Sequence, residues 1–186
     1  MIVYLHGFNS SPQSHKAQVM EKYLNSRGLG ARYACPALPP LASEAMRRIE
    51  SLSLGSGTCF VGSSLGGFYA THLAEKHDAK AVLINPAIEP HVGLRAFLGT
   101  QTNLHTGEPY ELTERHLDEW AALVVPRIDP RRYLLLVETG DELLDYRKAV
   151  ERYAGAEQVV VQGGDHSLQS FPEHLPRILR FAGLAG

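Results

Sequence analysis

The sequence predicts an α/β protein: three layers, with about six mostly parallel strands covered by helices on both faces. Two patterns and the size point there. Short, continuous apolar runs recur along the chain and alternate with stretches of helical period. Within each run the apolar residues are successive rather than every second one, the mark of strands buried on both faces. The chain has 186 residues, 44% hydrophobic and 20% charged, which suits a single domain over 1–186 with a full core.

The elements follow in order. Residues 2–5, I-V-Y-L, form the first run and stop at Gly7. Val19, Met20, Tyr23 and Leu24 recur at helical spacing and end before Gly28, which fits a C′ position. Residues 31–35 are a weakly signalled strand ahead of the stop P-A-L-P-P, and Ser43 can cap a helix carrying Ala45, Met46, Ile49 and Leu52. Residues 58–61 read as a strand, followed by a helix with Leu65, Phe68, Tyr69 and Leu73 on one face. Residues 81–84 are strand-like and close at Asn85-Pro86. Two further runs, 134–137 and 159–161, flank a helix with Tyr146, Ala149, Val150 and Tyr153 that stops at Gly155.

The segment from about 86 to 128 breaks this rhythm. It holds Gly93, Gly99 and Gly107, then a helix with Leu117, Trp120, Leu123 and Val124 on one side. An excursion in this place lies over the carboxyl ends of the strands, where α/β sheets bind ligands, so the expectation is a small helical cap. Phe97, Leu98, Leu104, Tyr110 and Trp120 either line an apolar pocket there or pack the cap onto the sheet.

Composition narrows the classes of partner. A net charge of -2, with 18 Lys and Arg scattered along the chain, favours neither nucleic acid nor an anionic membrane. No stretch approaches the roughly 20 apolar residues of a membrane span. The start, M-I-V-Y-L-H-G-F, is too short an apolar run for a signal peptide. The two cysteines, Cys35 and Cys59, form no CxxC pattern and suit a reducing compartment, so a cytoplasmic location is expected.

The string F-V-G-S-S-L-G-G places Ser64 between two glycines. G-x-S-x-G alone arises by chance in roughly one chain in twenty of this length. It gains meaning from a strand before and a helix after, because the serine then sits on a strained turn at the top of a sheet. Both are present here. The backbone N–H of Leu65 is the first expected oxyanion donor, and that of Phe8, in the loop L-H-G-F-N-S-S-P after the first strand, the second. Gly7 gives that loop freedom to turn its amides inward. His6 is read as orienting the loop rather than as a base.

In this arrangement the acid precedes the histidine in chain order. T-G-D-E-L-L-D-Y places Asp141 beyond one strand, and Q-G-G-D-H-S-L places His166 beyond the last. The chemistry needs all three groups: an imidazole must take the serine proton, and a carboxylate must hold that imidazole in the right tautomer. Asp145, Glu142 and Asp165 are the rival carboxylates. Asp145 suits the first turn of the next helix, Glu142 points away if Asp141 points in, and Asp165 pins the loop beside His166. The other histidines, His15, His72, His77, His91, His105, His116 and His174, show no ligand spacing, so no metal and no cofactor are expected.

H-G-F-N-S-S-P, P-A-L-P-P, V-G-S-S-L-G-G, N-P-A, T-G-D-E-L-L-D-Y and G-G-D-H-S together resemble the YqiA-like family of small bacterial esterases, within the α/β-hydrolase superfamily. The resemblance covers most of the chain and is looser between about 87 and 131. It implies a six-stranded parallel sheet without the first antiparallel hairpin of larger relatives. It also implies action on short acyl esters, with thioesters possible as small-molecule substrates. By motif the nucleophile carries over to Ser64, the acid to Asp141 and the base to His166. Relatives can have Gln in place of the histidine before G-F, which weakens a catalytic role for His6. The competing expectation is a binding protein that keeps this fold without catalysis.

Overall fold

A computed structural model describes residues 1–104 and 106–184. In chain order the elements are β1 (Ile2–Leu5), α1 (His15–Asn25), β2 (Tyr33–Ala34), α2 (Ala42–Glu50), β3 (Cys59–Ser63), α3 (Leu65–His77) and β4 (Lys80–Ile84). There follow the single turn α4 (Pro90–Gly93), β5 (Gly99–Thr102), β6 (Pro109–Leu112), α5 (Glu114–Ala122), β7 (Tyr133–Glu138), α6 (Tyr146–Arg152), β8 (Glu157–Val161) and α7 (Phe171–Phe181). Six strands make one sheet in the order β2-β1-β3-β4-β7-β8, with every neighbouring pair parallel.

The continuous apolar runs are explained by what each strand face meets. Val3, Leu5, Phe60, Ala81, Leu83, Leu135 and Val137 pack with α2, α3 and α6 on one side. Ile2, Tyr4, Val61, Val82, Ile84, Leu134 and Leu136 alternate with them and pack under α1 and α7 on the other. Each such aliphatic side chain contributes roughly 1.5–3 kcal/mol relative to exposure, so neither face could be left open. Large polar aromatics in this core satisfy their polar ends: Trp120 Nε1 donates to Tyr69 Oη at 2.8 Å, and Tyr133 Oη donates to Glu75 Oε1 at 2.6 Å.

Four details differ from the sequence reading. The second strand is only Tyr33–Ala34, because Gly30–Arg32 forms a 3-10 turn ahead of it. Ser43 does not cap α2. The helix opens at Ala42, and the Ser43 amide donates to Glu119 Oε2 of α5 at 3.0 Å, tying the insertion to the main body. The insertion carries, besides the expected helix, the antiparallel pair β5 and β6, which pairs Gly99 with Leu112. Finally, α7 has no counterpart in the reading, because Pro172 and Pro176 disguise its period. Its buried stripe of Phe171, Leu175, Ile178 and Leu179 nevertheless falls on one helical face.

The turn from β3 into α3 is the most crowded point of the backbone. A Cβ built on Gly62 would lie 2.1 Å from Gly66 O, and one built on Gly66 would lie 1.9 Å from Leu5 O. Neither obstacle is a side chain that could swing away. Gly66→Ala should therefore cost about 3 kcal/mol of unfolding free energy, read by urea denaturation. Gly93→Ala, with nothing within 4 Å, serves as the control and should shift stability by under about 0.5 kcal/mol. Equal midpoints for the two variants would show that the approach is not as close as described.

Candidate active site

Ser64 stands at the crowded turn, between the last residue of β3 and the first of α3. Its φ of 54° lies in the left-handed region that a non-glycine residue enters only under constraint. The constraint comes from both sides: the Ser64 amide donates to Ile84 O at 3.0 Å, and its carbonyl accepts from Gly67 N at 2.9 Å and Ala87 N at 3.0 Å. The loop after β1 runs directly alongside. A Cβ at Gly7 would lie 3.4 Å from Ser64 Cβ and 3.9 Å from its Oγ. Gly7 is not among the positive-φ residues and a Cβ there would make ordinary contact only, so neither the turn nor the space demands a glycine at this position.

Phe8 follows Gly7, and Leu65 opens α3. Among the described residues neither backbone amide has a backbone acceptor, and both residues line the same cavity as Ser64 and His166. His6 is held by two backbone groups: its Nδ1 donates to Gly7 O and its Nε2 accepts from Leu38 N, both at 3.0 Å. It is 3% exposed, and its ring bridges the β1 loop to the segment before α2, as expected of an orienting residue.

Asp141 and His166 come together from the loops after β7 and β8. His166 Nδ1 lies 2.8 Å from Asp141 Oδ2 and 3.0 Å from Oδ1. An ionised carboxylate only accepts, so Nδ1 donates to it, and in the neutral ring this makes Nε2 the acceptor. The Asp141 side chain is 1% exposed, against 20% for His166. Burial pushes the Asp141 carboxyl up. The His166 bond and the amides of Leu144 (2.8 Å) and Leu143 (2.9 Å) outweigh it and hold the group below the usual carboxylate range.

The rival carboxylates are engaged elsewhere. Asp145 caps α6, accepting from Arg147 N at 3.0 Å and Nε at 2.8 Å. Asp165 accepts from Ser167 N at 2.8 Å and Gln169 Nε2 at 2.7 Å, which folds its own loop. Glu142 turns from the ring but not from the residue, since its Oε2 accepts from His166 N at 3.0 Å. Of the remaining histidines, His72 donates to Leu123 O at 3.0 Å beyond the end of α5, and His116 completes the capping box with Thr113. His105 lies outside the described residues. Among the described residues no group of three His, Cys, Asp or Glu could hold a metal ion.

The cavity over Ser64 measures about 650 Å³, and its walls are mainly apolar: Phe8, Ile88, Leu94, Phe97, Leu143 and Leu144. Of the insertion residues singled out in the sequence, only Phe97 faces it. Leu98, Tyr110 and Trp120 pack into the core, and Leu104 is exposed. Tyr110 Oη also donates to Asn9 Oδ1 at 3.0 Å, which joins the β5–β6 pair to the loop carrying Phe8. Among the described residues no helix is long and apolar enough to cross a membrane.

Two buried polar residues behind His166 escaped the sequence reading. Asn85 and Glu138 are 2% and 1% exposed, and both bond to the His166 loop. A signal existed for Glu138: a carboxylate ending the run L-L-L-V in a buried strand is rare without a dedicated partner. Asn85 was legible only as a strand stop.

A serine on a strained strand-to-helix turn, over the carboxyl ends of a doubly covered parallel sheet, defines the α/β-hydrolase fold. Solved structures agree on the fold. Alpha/beta hydrolase domain-containing protein 10 from mouse superposes with a TM-score of 0.72 at 15% identity, over 96% of this chain and 87% of its own. A monoacylglycerol lipase from Paleococcus ferrophilus does so with a TM-score of 0.65 at 17% identity, over 99% and 94%. The chain belongs to the uncharacterised protein family UPF0227, whose model matches residues 1–183. A UPF0227 protein from Citrobacter koseri is 24% identical over 99% of both chains. The relationship read from the motifs is thereby borne out.

The depressed Asp141 carboxyl carries a sign. The unfolded chain binds that proton at a higher pH than the folded one, so the contribution to stability is full above the usual carboxylate range. It declines as pH falls through the folded value. Thermal melts from pH 7 to 3 should therefore show a shallower acid decline in Asp141→Asn than in the wild type, and parallel curves would refute the assignment.

Proposed function

We propose that this chain is a serine esterase that hydrolyses short-chain acyl esters, and thioesters by the same route, through an acyl-enzyme intermediate. Ser64 Oγ attacks the acyl carbon while His166 Nε2 takes its proton. Asp141, on Nδ1, holds the ring in the required tautomer and stabilises the imidazolium that forms. The amides of Phe8 and Leu65 receive the oxyanion, each donor being worth about 3–4 kcal/mol in a site closed to water. His166 then protonates the leaving group. It next draws a proton from water as the water oxygen attacks the acyl carbon, then gives that proton to Ser64 Oγ as the bond between the acyl carbon and Oγ breaks, which releases the acid and restores Ser64.

One observation carries this reading: Ser64 and His166 open onto a single apolar cavity, with Asp141 bonded to the far side of the imidazole. The cavity volume lies in the range of small-molecule sites. The monoacylglycerol lipase among the structural neighbours supports an ester as the bond cleaved. A cytoplasmic location completes the proposal, from the cysteine usage of the sequence.

Wild-type protein is expected to hydrolyse p-nitrophenyl butyrate and to react with a fluorophosphonate probe. Ser64→Ala should lower turnover by a factor on the order of 10⁴ to 10⁶ and abolish labelling. A wild-type protein that neither labels nor outpaces Ser64→Ala across ester and thioester panels would instead be a binding protein on this fold.

A further inference from the structure

The loop that carries His166, between β8 and α7, closes one turn of its own across the histidine, Leu168 N donating to Asp165 O at 3.1 Å, and the groups of His166 itself are held from outside. The His166 amide donates to Glu142 Oε2 at 3.0 Å, and its carbonyl accepts from Asn85 Nδ2 at 3.1 Å. Both partners are side chains from other loops. The same Asn85 Nδ2 donates to Asp165 O at 3.1 Å, and its Oδ1 accepts from Glu138 N at 3.1 Å. Asn85 sits directly after β4 with a φ of 39°, which asparagine tolerates better than most residues.

Glu138 ends β7 and sends its carboxylate inward. Oε2 accepts from Asp165 N at 2.9 Å and Gln169 N at 3.0 Å; Oε1 accepts from Ser170 N at 2.9 Å and Ser170 Oγ at 2.7 Å. A buried carboxylate is costly unless such donors surround it. Burial pushes this carboxyl up, but the four donors outweigh it and hold it below its ordinary value. The loop also presses on the carboxylate, since a Cβ at Gly164 would lie 2.0 Å from Oε2. Lys16 Nζ pins the outer side by donating to Ser167 O at 2.7 Å.

We propose that Glu138 and Asn85 form a clamp that sets the position of the His166 imidazole, acting as positioning residues for the reaction. This rests on the reading of His166 as the base. Asp141 and Ser64 lie on two other loops, so the ring meets both only if its own backbone is held. The clamp fixes that backbone on either side of residue 166: Asn85 takes the carbonyls of Asp165 and His166, and Glu138 takes the amides of Asp165, Gln169 and Ser170. Misplacing a reacting group by about 1 Å can cost roughly 100-fold in rate.

Glu138→Gln and Asn85→Asp test it. In the first, whichever way the amide turns, its NH₂ faces backbone N–H groups. In the second, an acceptor replaces the donor that holds two carbonyls. In both, kcat for p-nitrophenyl butyrate should fall roughly 10- to 100-fold with KM within about twofold. The low-field proton resonance of the His166 Nδ1–H bonded to Asp141 should shift or broaden. A purely structural role would lower the melting temperature alone, and folded variants with wild-type kcat and an unmoved resonance overturn the clamp. If either variant does not fold, Ser170→Ala, which removes one hydroxyl donor, decides with the same two readouts; an unmoved resonance and wild-type kcat there overturn it equally. Absence of esterase activity in the wild type would refute the hydrolase reading, while the resonance, observed without substrate, still tests the clamp.

Discussion

The close approach of three backbones around Ser64 is the constraint on which the rest depends. The turn between β3 and α3 presses against the end of β1, with room for hydrogen atoms alone at Gly62 and Gly66. That crowding brings the Phe8 loop beside Ser64 and fixes where α3 starts, with Leu65 lining the cavity. Ser64 is held in its strained conformation by bonds to Ile84, Gly67 and Ala87, so the sheet and the helix bear the strain together. A looser turn would separate the first three strands at the edge where the proposed chemistry takes place.

The other half of the rim is organised differently. Beyond β4, β7 and β8 the loops are held by side chains: Asn85, Glu138, Asp141 and Glu142 each bond to the segment 165–170. Three of these are carboxylates, and in Glu138 and Asp141 burial raises the pKa while hydrogen bonds, joined at Asp141 by the charge of His166, outweigh it and hold the group below its ordinary value. Buried anions satisfied by N–H groups demand specific directions, and a loop bound to them has few alternative conformations. The position of His166 thus depends on its neighbours as well as on the 165–168 turn of its own loop.

The insertion contributes shape. Trp120 and Leu117 of α5 are buried, Trp120 bonding to Tyr69 of α3, while Phe97 and Val92 remain exposed at the mouth of the cavity. Polar joints to the body include Ser43 to Glu119, Tyr110 to Asn9, His72 to Leu123, and Trp120 to Tyr69. The part that shapes the pocket is thus joined to the body by directional contacts and by apolar residues such as Leu112, Leu117 and Trp120 that share the main core, whereas Ser64, Asp141 and His166 belong to the rims of the sheet itself.

The sequence by itself determined the alternation of strands and helices, the turn at Ser64, and the order Ser64, Asp141, His166. Those features are local: apolar runs, helical period and glycine spacing act between neighbours a few residues apart. It did not disclose α7, whose prolines mask an otherwise regular stripe, nor the β5–β6 pair, whose strands face solvent on alternate residues and so lack an apolar run. The mistaken cap at Ser43 has the same origin, since a contact with Glu119 across the fold decides its environment. Only the tertiary structure decided that Asn85 and Glu138 hold the histidine loop, because their bonds join residues between 27 and 81 positions apart. A buried polar group is defined by what folds around it, and no spacing along the chain encodes that.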